Sequence, residues 1–277
     1  MIPSDIHEQV AHALAEDIGA GDITAALISE ETVGEAVLIT REPAVICGQP
    51  WVDAVYAQLD PSVQCAWQVA EGQEVAAETA LLTVKGPARA VLTGERCAMN
   101  WLQTLSGVAT VVHEAVKVLA DYPTVILDTR KTIPGLRGAQ KYAVTVGGGH
   151  NHRMGLFDAF LIKENHIMAC GSIQNAVAAA RKLGLDALVE VEVESLEELE
   201  AALEAGADII MLDNFTHAQM QAAVAITQQR ARLEVSGNVC LSDLPVIAQT
   251  GVDFISMGAL TKHLRAIDLS MRWVDAS

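Results

Sequence analysis

The sequence predicts an α/β fold, with a mixed amino-terminal part followed by a parallel sheet that is either closed as a barrel or open and doubly wound. Three observations predict it. In the second half a unit recurs in which a Gly stops a helix, an Asp follows within three residues and an aliphatic strand comes next. Helix-like segments lie between these units, and each strand ends on a polar residue.

The first hundred residues are read as a short helix, Ile6 to Glu16, and then strands over Gly34 to Arg41, Val63 to Val69, Gly72 to Val75 and Leu81 to Gly86. A longer helical stretch from Gly94 to Leu119, with a break expected near Gly107, carries the chain into the second half. The expected domains are therefore 1–107 and 108–264, with the extreme carboxy terminus, 265–277, packing back on the first. No low-complexity linker separates them, which predicts intimately packed domains.

The repeats start at Gly155, Gly184, Gly206 and Gly251, with Asp158, Asp186, Asp208 and Asp253 following. Their spacings are 29, 22 and 45 residues, and Arg232 to Ser236 is a strand that divides the last interval into two units. A period of this size fits one strand plus one helix. The helices are placed over Ser172 to Lys182, Ser195 to Glu204 (opening on a Ser-x-x-Glu capping box), His217 to Arg230 and Leu241 to Thr250. With Thr124 to Leu127 there are at least six strands. The barrel is favoured because reactive groups in barrels sit at the carboxyl ends of strands, and here those ends carry Asp128 to Lys131, Lys163, Glu192, Asp213, Ser236 and Ser256. Alternation in Val189 to Glu194 puts Glu190, Glu192 and Glu194 on one strand face, so an inward carboxylate has to meet a cation or reach the mouth.

Composition narrows the function. The net charge of −17 argues against nucleic acid or an anionic membrane as partner. Between Arg130 and Lys163, however, six bases face one acid, so this stretch carries +5 and the rest of the chain −22. Such a concentration suits a pocket for a small polyanion, with a solvated helix face as the plainer alternative. There is no uninterrupted apolar run of about 18 residues and no basic-then-apolar start, which predicts a soluble, cytoplasmic chain. Five scattered cysteines argue against a disulfide framework and a structural zinc site, and mostly buried thiols are expected.

Several segments carry chemistry. Gly147 to Arg153 is a glycine-rich loop whose backbone N–H groups and cationic side chains could hold a phosphate or a carboxylate, or simply turn the chain. Asp128 to Thr132 sets an Arg fork beside a Lys point charge. Glu192 and Asp213, on successive strand ends, have the hard oxygen atoms that magnesium takes when it is shared with a substrate phosphate. The turns at Ser236-Gly-Asn238 and Met257-Gly-Ala259 come where barrels hold phosphates by main-chain donors. No dinucleotide fingerprint or Walker A sequence is present.

Taken in order, these pieces resemble the type II phosphoribosyltransferases of pyridine nucleotide synthesis, specifically the quinolinate phosphoribosyltransferases. The resemblance is carried by Glu16-Asp-x-Gly-x-Gly-Asp-Ile-Thr24, Gly94-Glu-Arg96-x-x-x-Asn100, Ser106-Gly-x-Ala-Thr110, Thr129-Arg-Lys-Thr-x-Pro-Gly135, Lys141-Tyr-Ala-Val, Gly147-Gly-Gly-x-Asn-His-Arg153, Leu161-Ile-Lys163-x-Asn-His166, Val191-Glu192-Val, Leu212-Asp213-Asn214 and Ser236-Gly-Asn238. It spans nearly the whole chain. It implies an amino-terminal α/β sandwich, a carboxy-terminal incomplete (β/α) barrel, and a homodimer whose active site is completed by the partner's amino-terminal domain; further pairing into hexamers is left open.

The activity it implies is a pentosyl transfer. The phosphoribosyl group of phosphoribosyl pyrophosphate (PRPP) goes to quinolinate with loss of CO2, giving nicotinate mononucleotide and pyrophosphate. By the same resemblance, Arg130, His152, Arg153 and Lys163 with the partner's Arg96 bind the two carboxylates, next to Thr129. Lys131 lies beside the forming bond. Glu192 and Asp213 face the ribose and a magnesium ion shared with PRPP, directly or through water. Ser236, Gly237, Asn238, Met257, Gly258 and Ala259 hold the 5′-phosphate, and no organic cofactor is implied. Two other readings are a transferase for another aromatic acid and a non-catalytic small-anion binding module on the same fold; the doubled cationic set favours a diacid, and the Lys131, Glu192 and Asp213 combination favours catalysis.

Overall fold

The computed structural model describes residues 2–274. In chain order the elements are α1 (Ile6–Ile18), β1 (Val33–Thr40), β2 (Ala44–Val45), α2 (Gln49–Leu59), β3 (Gln64–Trp67), β4 (Glu74–Val75), β5 (Ala80–Pro87), α3 (Ala88–Val118), β6 (Val125–Leu127), α4 (Arg137–Val146), β7 (Phe160–Ile162), α5 (Glu164–Cys170), α6 (Ile173–Lys182), β8 (Val189–Val193), α7 (Leu196–Ala205), β9 (Ile209–Asp213), α8 (His217–Thr227), β10 (Arg232–Ser236), α9 (Leu244–Ala248), β11 (Phe254–Ser256), α10 (Ala259–Lys262) and β12 (Leu269–Trp273). They form two compact units. The first comprises the chain up to Val111, Gly138–Gly147 and the chain from Leu264 onward; the second comprises Val112–Arg137 and Gly148–His263. Most of α4 thus counts with the first unit, whereas the sequence reading placed that stretch in the barrel. No helix of the described residues is long and apolar enough to cross a membrane.

In the first unit an antiparallel sheet runs in the order β12-β1-β5-β3. α1 buries Ile6, Val10 and Leu14, four residues apart and therefore on one face. The Trp51 ring stacks on Trp101 at 5.9 Å between centroids and meets Tyr142 at 5.4 Å. β12 pairs with β1 from Ala36 opposite Trp273 to Thr40 opposite Leu269. Gly34 makes this possible, since a Cβ there would stand 1.9 Å from the Trp273 ring. Arg265 adds an ion pair to Glu42, and that guanidinium holds the Glu42 carboxyl below its usual range. The last three residues of the 265–277 segment lie outside the described residues.

The break expected near Gly107 is absent: α3 runs unbroken from Ala88 to Val118. The glycine answers a packing demand, because a Cβ on Gly107 would lie 2.2 Å from the carbonyl oxygen of Arg265. Removing a side chain here lets another backbone approach while the helix continues.

The second unit holds a six-stranded parallel sheet in the order β6-β11-β10-β9-β8-β7. Two of the four repeated Asp residues fasten the start of a neighbouring strand, while Asp158 instead accepts the N–H groups of Met154 and Gly155 in the turn before it. Asp208 accepts the Val189 N–H at 2.7 Å, and Asp253 accepts that of Leu233 at 2.8 Å. Ser195 caps α7 by accepting from Glu198 N, but Glu198 reaches back to the N–H of Glu194 instead of closing the expected box. Of the cysteines, Cys47 and Cys97 are buried and Cys65 is half-buried, while Cys170 and Cys240 are exposed, so the expected burial of the thiols holds only in part.

Candidate active site

Side chains alternate across a strand, so one face of the parallel sheet carries Leu161, Glu190 and Glu192, Met211 and Asp213, Glu234 and Ser236, and Phe254 and Ser256. The carboxyl ends of these strands open on a cleft of about 280 Å³. Lining it are Thr129, Arg130 and Lys131 after β6, His152 and Arg153, Lys163 after β7, and Glu192, Asp213, Ser236 and Gly237. Asn238, Gly258 and Ala259 line an adjoining cavity of about 230 Å³, together with Lys262 and His263, and the two cavities share Thr129, Lys131, Ser236, Gly237 and Ser256. Met257 is buried, and its N–H is donated to Leu127 O at 3.0 Å, so it is Gly258 and Ala259 of this turn that face the cavity. Arg96 belongs to the first unit, where it is exposed on α3.

The second half of the glycine-rich loop contributes side chains, because the N–H groups of His150, His152 and Arg153 are already committed. His150 continues the sheet beside β6, donating its N–H to Ile126 O at 2.9 Å. The N–H of His152 goes to the fully buried Asp128 carboxylate at 2.9 Å, and that of Arg153 to His152 Nδ1 at 2.8 Å. The expected cradle of free N–H groups is therefore not formed by these three residues. His166 serves in a similar way: its Nδ1 accepts the Lys163 N–H at 3.0 Å and anchors Lys163 at the start of α5.

Charge in the cleft is divided. The Arg130 Nε is buried with no hydrogen-bond partner. Burial, and then the neighbouring Arg130, lower the Arg153 pKa. Two neighbouring guanidinium groups, one with an unpaired Nε and the other only partly offset by Glu190 and Asp158, make a preformed receptor for an anion. On the opposite side, the Lys163 ammonium is paired with Glu192. The Asp213 carboxyl is pushed up, first by burial and then by Glu192, while Lys163 and Lys131 work in the other direction. The backbone of Lys131 is held by Thr129 Oγ1, which accepts its N–H at 3.0 Å, and by Thr261 Oγ1, which donates to its carbonyl at 2.9 Å.

Beneath lies a group of which sequence reasoning anticipated only Glu190, as an inward carboxylate that needs a partner, and missed Glu234 and the meeting of both with His152. Glu190 and Glu234 are buried under His152, with His152 Nε2 at 2.9 Å from Glu190 Oε2 and 3.5 Å from Glu234 Oε2. The signal was present: the alternation argument applied to Val189 to Glu194, carried over to Arg232-Leu-Glu-Val-Ser236, puts Glu234 on the same face as Ser236.

This geometry has counterparts of known family. Residues 22–106 match the quinolinate phosphoribosyl transferase N-terminal domain and residues 108–272 its C-terminal domain. The chain belongs to the quinolinate phosphoribosyl transferase family. It is 44% identical over 265 residues to a probable nicotinate-nucleotide pyrophosphorylase [carboxylating] of Synechocystis, covering 94% of this chain and 90% of that one. It is 37% identical over 289 residues to a mitochondrial quinolinate phosphoribosyltransferase [decarboxylating] of Nicotiana glauca, covering 97% and 82%. A solved nicotinate-nucleotide pyrophosphorylase from Francisella tularensis superposes with a TM-score of 0.96 at 50% identity, over 99% of this chain and 98% of that one.

Proposed function

We propose that this member of the family transfers the phosphoribosyl group of PRPP to quinolinate and releases pyrophosphate, CO2 and nicotinate mononucleotide. The observation that carries the reading is the buried, unpartnered Nε of Arg130 beside Arg153 in a cleft that also holds Lys163, Glu192 and Asp213. A cation pair for a diacid stands next to carboxylates suited to a developing positive charge.

In this reading Arg130, Arg153, Lys163 and His152 receive the two carboxylates, alongside Thr129. The pyridine nitrogen attacks the anomeric carbon as the bond to pyrophosphate breaks, so charge develops on the ribose next to Glu192 and Asp213. Lys131 neutralises charge beside the forming bond. Loss of CO2 leaves an electron pair stabilised by the positive ring nitrogen, and a proton then takes the place of the carboxylate. Glu192 and Asp213 offer hard oxygen atoms on neighbouring strands, a donor set that fits magnesium entering with pyrophosphate. Ser236, Gly237, Asn238, Gly258 and Ala259 hold the 5′-phosphate. The protein acts as a homodimer in which the partner's Arg96 completes the diacid site.

The test is an omission assay: quinolinate, PRPP and magnesium are each left out in turn while pyrophosphate, CO2 and nicotinate mononucleotide are followed. Product only with all three is expected. Pyrophosphate release with nicotinate but not quinolinate moves the assignment to another aromatic acid, and silence with both leaves an anion-binding module.

A further inference from the structure

The floor of the cleft is a closed group of three side chains. His152 comes from the segment beside β6, Glu190 from β8 and Glu234 from β10; their ligand atoms all lie within 4.8 Å of one another, and both carboxylates are buried. The imidazole proton can be placed from its neighbours. Nδ1 accepts the Arg153 N–H at 2.8 Å, so the neutral ring carries its hydrogen on Nε2, which points at Glu190 Oε2 2.9 Å away. The same bond argues against a metal ion here. Nε2 would have to give its lone pair to the metal while Nδ1 still accepts, which requires an imidazolate.

That leaves a neutral ring above two carboxyl groups. Both Glu234 oxygens and Glu190 Oε1 are buried without a well-formed hydrogen bond, and the buried Ser256 hydroxyl beside Glu234 is the one neutral donor at hand besides His152 Nε2. Two ionised carboxylates in that setting are opposed by burial and by each other. These two donors serve four carboxylate oxygens, so one added proton supplies a further donor between the carboxyl groups and removes one of the two charges.

Resting on the diacid reading of the cleft, we infer that Glu234 is a positioning residue that carries a proton at neutral pH. With Glu190 it holds the His152 ring, and through that ring the Arg153 main chain, above a floor of one negative charge instead of two. The groups that face Glu234 agree. From β8, across β9, comes Glu190, with Glu192 further toward the mouth and paired with Lys163. β11 presents Ser256, and β9 presents the uncharged Met211, with Asp213 one step further out opposite Ser236. Arg232, toward the other end of β10, lies over the Phe254 ring at 5.5 Å. Burial, and then Glu190, push the Glu234 carboxyl up to about 8, with His152 acting against them. A raised carboxyl keeps its proton through neutral pH and loses it as pH rises past that value. A second floor charge then repels a doubly anionic substrate, so the loss appears in substrate binding.

The experiment compares wild type with Glu234→Gln, which has the shape of the protonated side chain and cannot ionise. The KM for quinolinate at saturating PRPP is measured from pH 6.5 to 9.5, and the His152 tautomer is read by nitrogen-15 NMR. In wild type, KM is expected to rise about tenfold for each pH unit above roughly 8 while kcat changes little; in Glu234→Gln the KM stays flat. His152 is expected as the Nε2–H tautomer in both. The inference is overturned by a wild-type KM that is flat across this range or by an unchanged alkaline rise in Glu234→Gln. It is equally overturned by an Nδ1–H or imidazolium His152, or by a stoichiometric metal in the purified protein that Glu234→Gln loses. If quinolinate is not turned over at any pH, the diacid reading fails, and the Glu234 proton is then read directly from its side-chain carboxyl carbon-13 shift between pH 6.5 and 9.5, where a carboxylate already ionised at neutral pH overturns the inference.

Discussion

Gly258 leaves the space in which Lys131 lies: a Cβ built on Gly258 would stand 2.8 Å from Lys131 Cδ. The Lys131 backbone is pinned by Thr129 and Thr261, so an added methyl group has to displace the side chain. Gly258 has no left-handed backbone to strain, so Gly258→Ala acts through Lys131 and, since Gly258 also lines the proposed phosphate cavity, a change in the KM for PRPP separates the phosphate contact from the placement of Lys131. We expect kcat to fall about 10- to 100-fold, the usual loss for a catalytic group moved by about an ångström, with the melting temperature unchanged. Wild-type kcat in this variant would remove Lys131 from the chemistry.

Arg130→Ala is expected to lower kcat/KM for quinolinate by about 1.5–3 kcal/mol, roughly 10- to 150-fold, the worth of a charge-assisted contact to a carboxylate. Lys163→Ala should cost at least as much, because it also leaves Glu192 without its cation. Steady-state kinetics with quinolinate varied at fixed PRPP checks both, and circular dichroism confirms that the fold survives. Unchanged kinetics in either variant would count against the carboxylate assignment.

How much was legible depended on whether the signal was local. The Gly-x-Asp period and the polar strand ends located β7 to β11 and the face on which Lys163, Glu192, Asp213 and Ser236 meet, because alternation and helix stops are written within a few residues. β12 has no such signal: its partner lies more than 200 residues away, and Gly34 becomes meaningful only once Trp273 is seen resting on it. Gly107 was misread for the same reason, since a helix break and a close backbone approach leave the same letter in the sequence. The glycine-rich loop looked like an anion cradle, and only the partners Ile126 O, Asp128 and His152 Nδ1 show that the N–H groups of His150, His152 and Arg153 are occupied. Glu234 was readable by alternation, yet the charge count drew attention to the bases between 130 and 163.

Gly107 gives a stability test in which two effects have opposite sign. In an exposed helix interior, Gly→Ala stabilises by about 1 kcal/mol. At this position the new Cβ would meet the Arg265 carbonyl oxygen at 2.2 Å, a clash with backbone that cannot swing aside. Overpacking of this kind costs about 1–3 kcal/mol, so the net change for Gly107→Ala should be a loss. All four tryptophans (Trp51, Trp67, Trp101 and Trp273) lie in the first unit, so urea unfolding followed by tryptophan fluorescence reports on the unit concerned. A raised midpoint would show that the helix preference wins.

Arg96 tests the proposed shared site. If it reaches the cleft of the partner subunit, Arg96→Ala and Lys131→Ala inactivate different parts of each composite site. In a mixed dimer one of the two sites combines the variant subunits' intact halves, with Lys131 from one chain and Arg96 from the other; the second site carries both defects. Random exchange makes half of the dimers mixed, so a mixture of two inactive variants is expected to regain about a quarter of wild-type activity per site, a figure set by pairing statistics under closed two-fold symmetry. The measurement is pyrophosphate release after the variants are unfolded and refolded together, with subunit exchange verified by differently tagged chains. Exchange without recovered activity would place Arg96 outside the site or confine each site to one subunit.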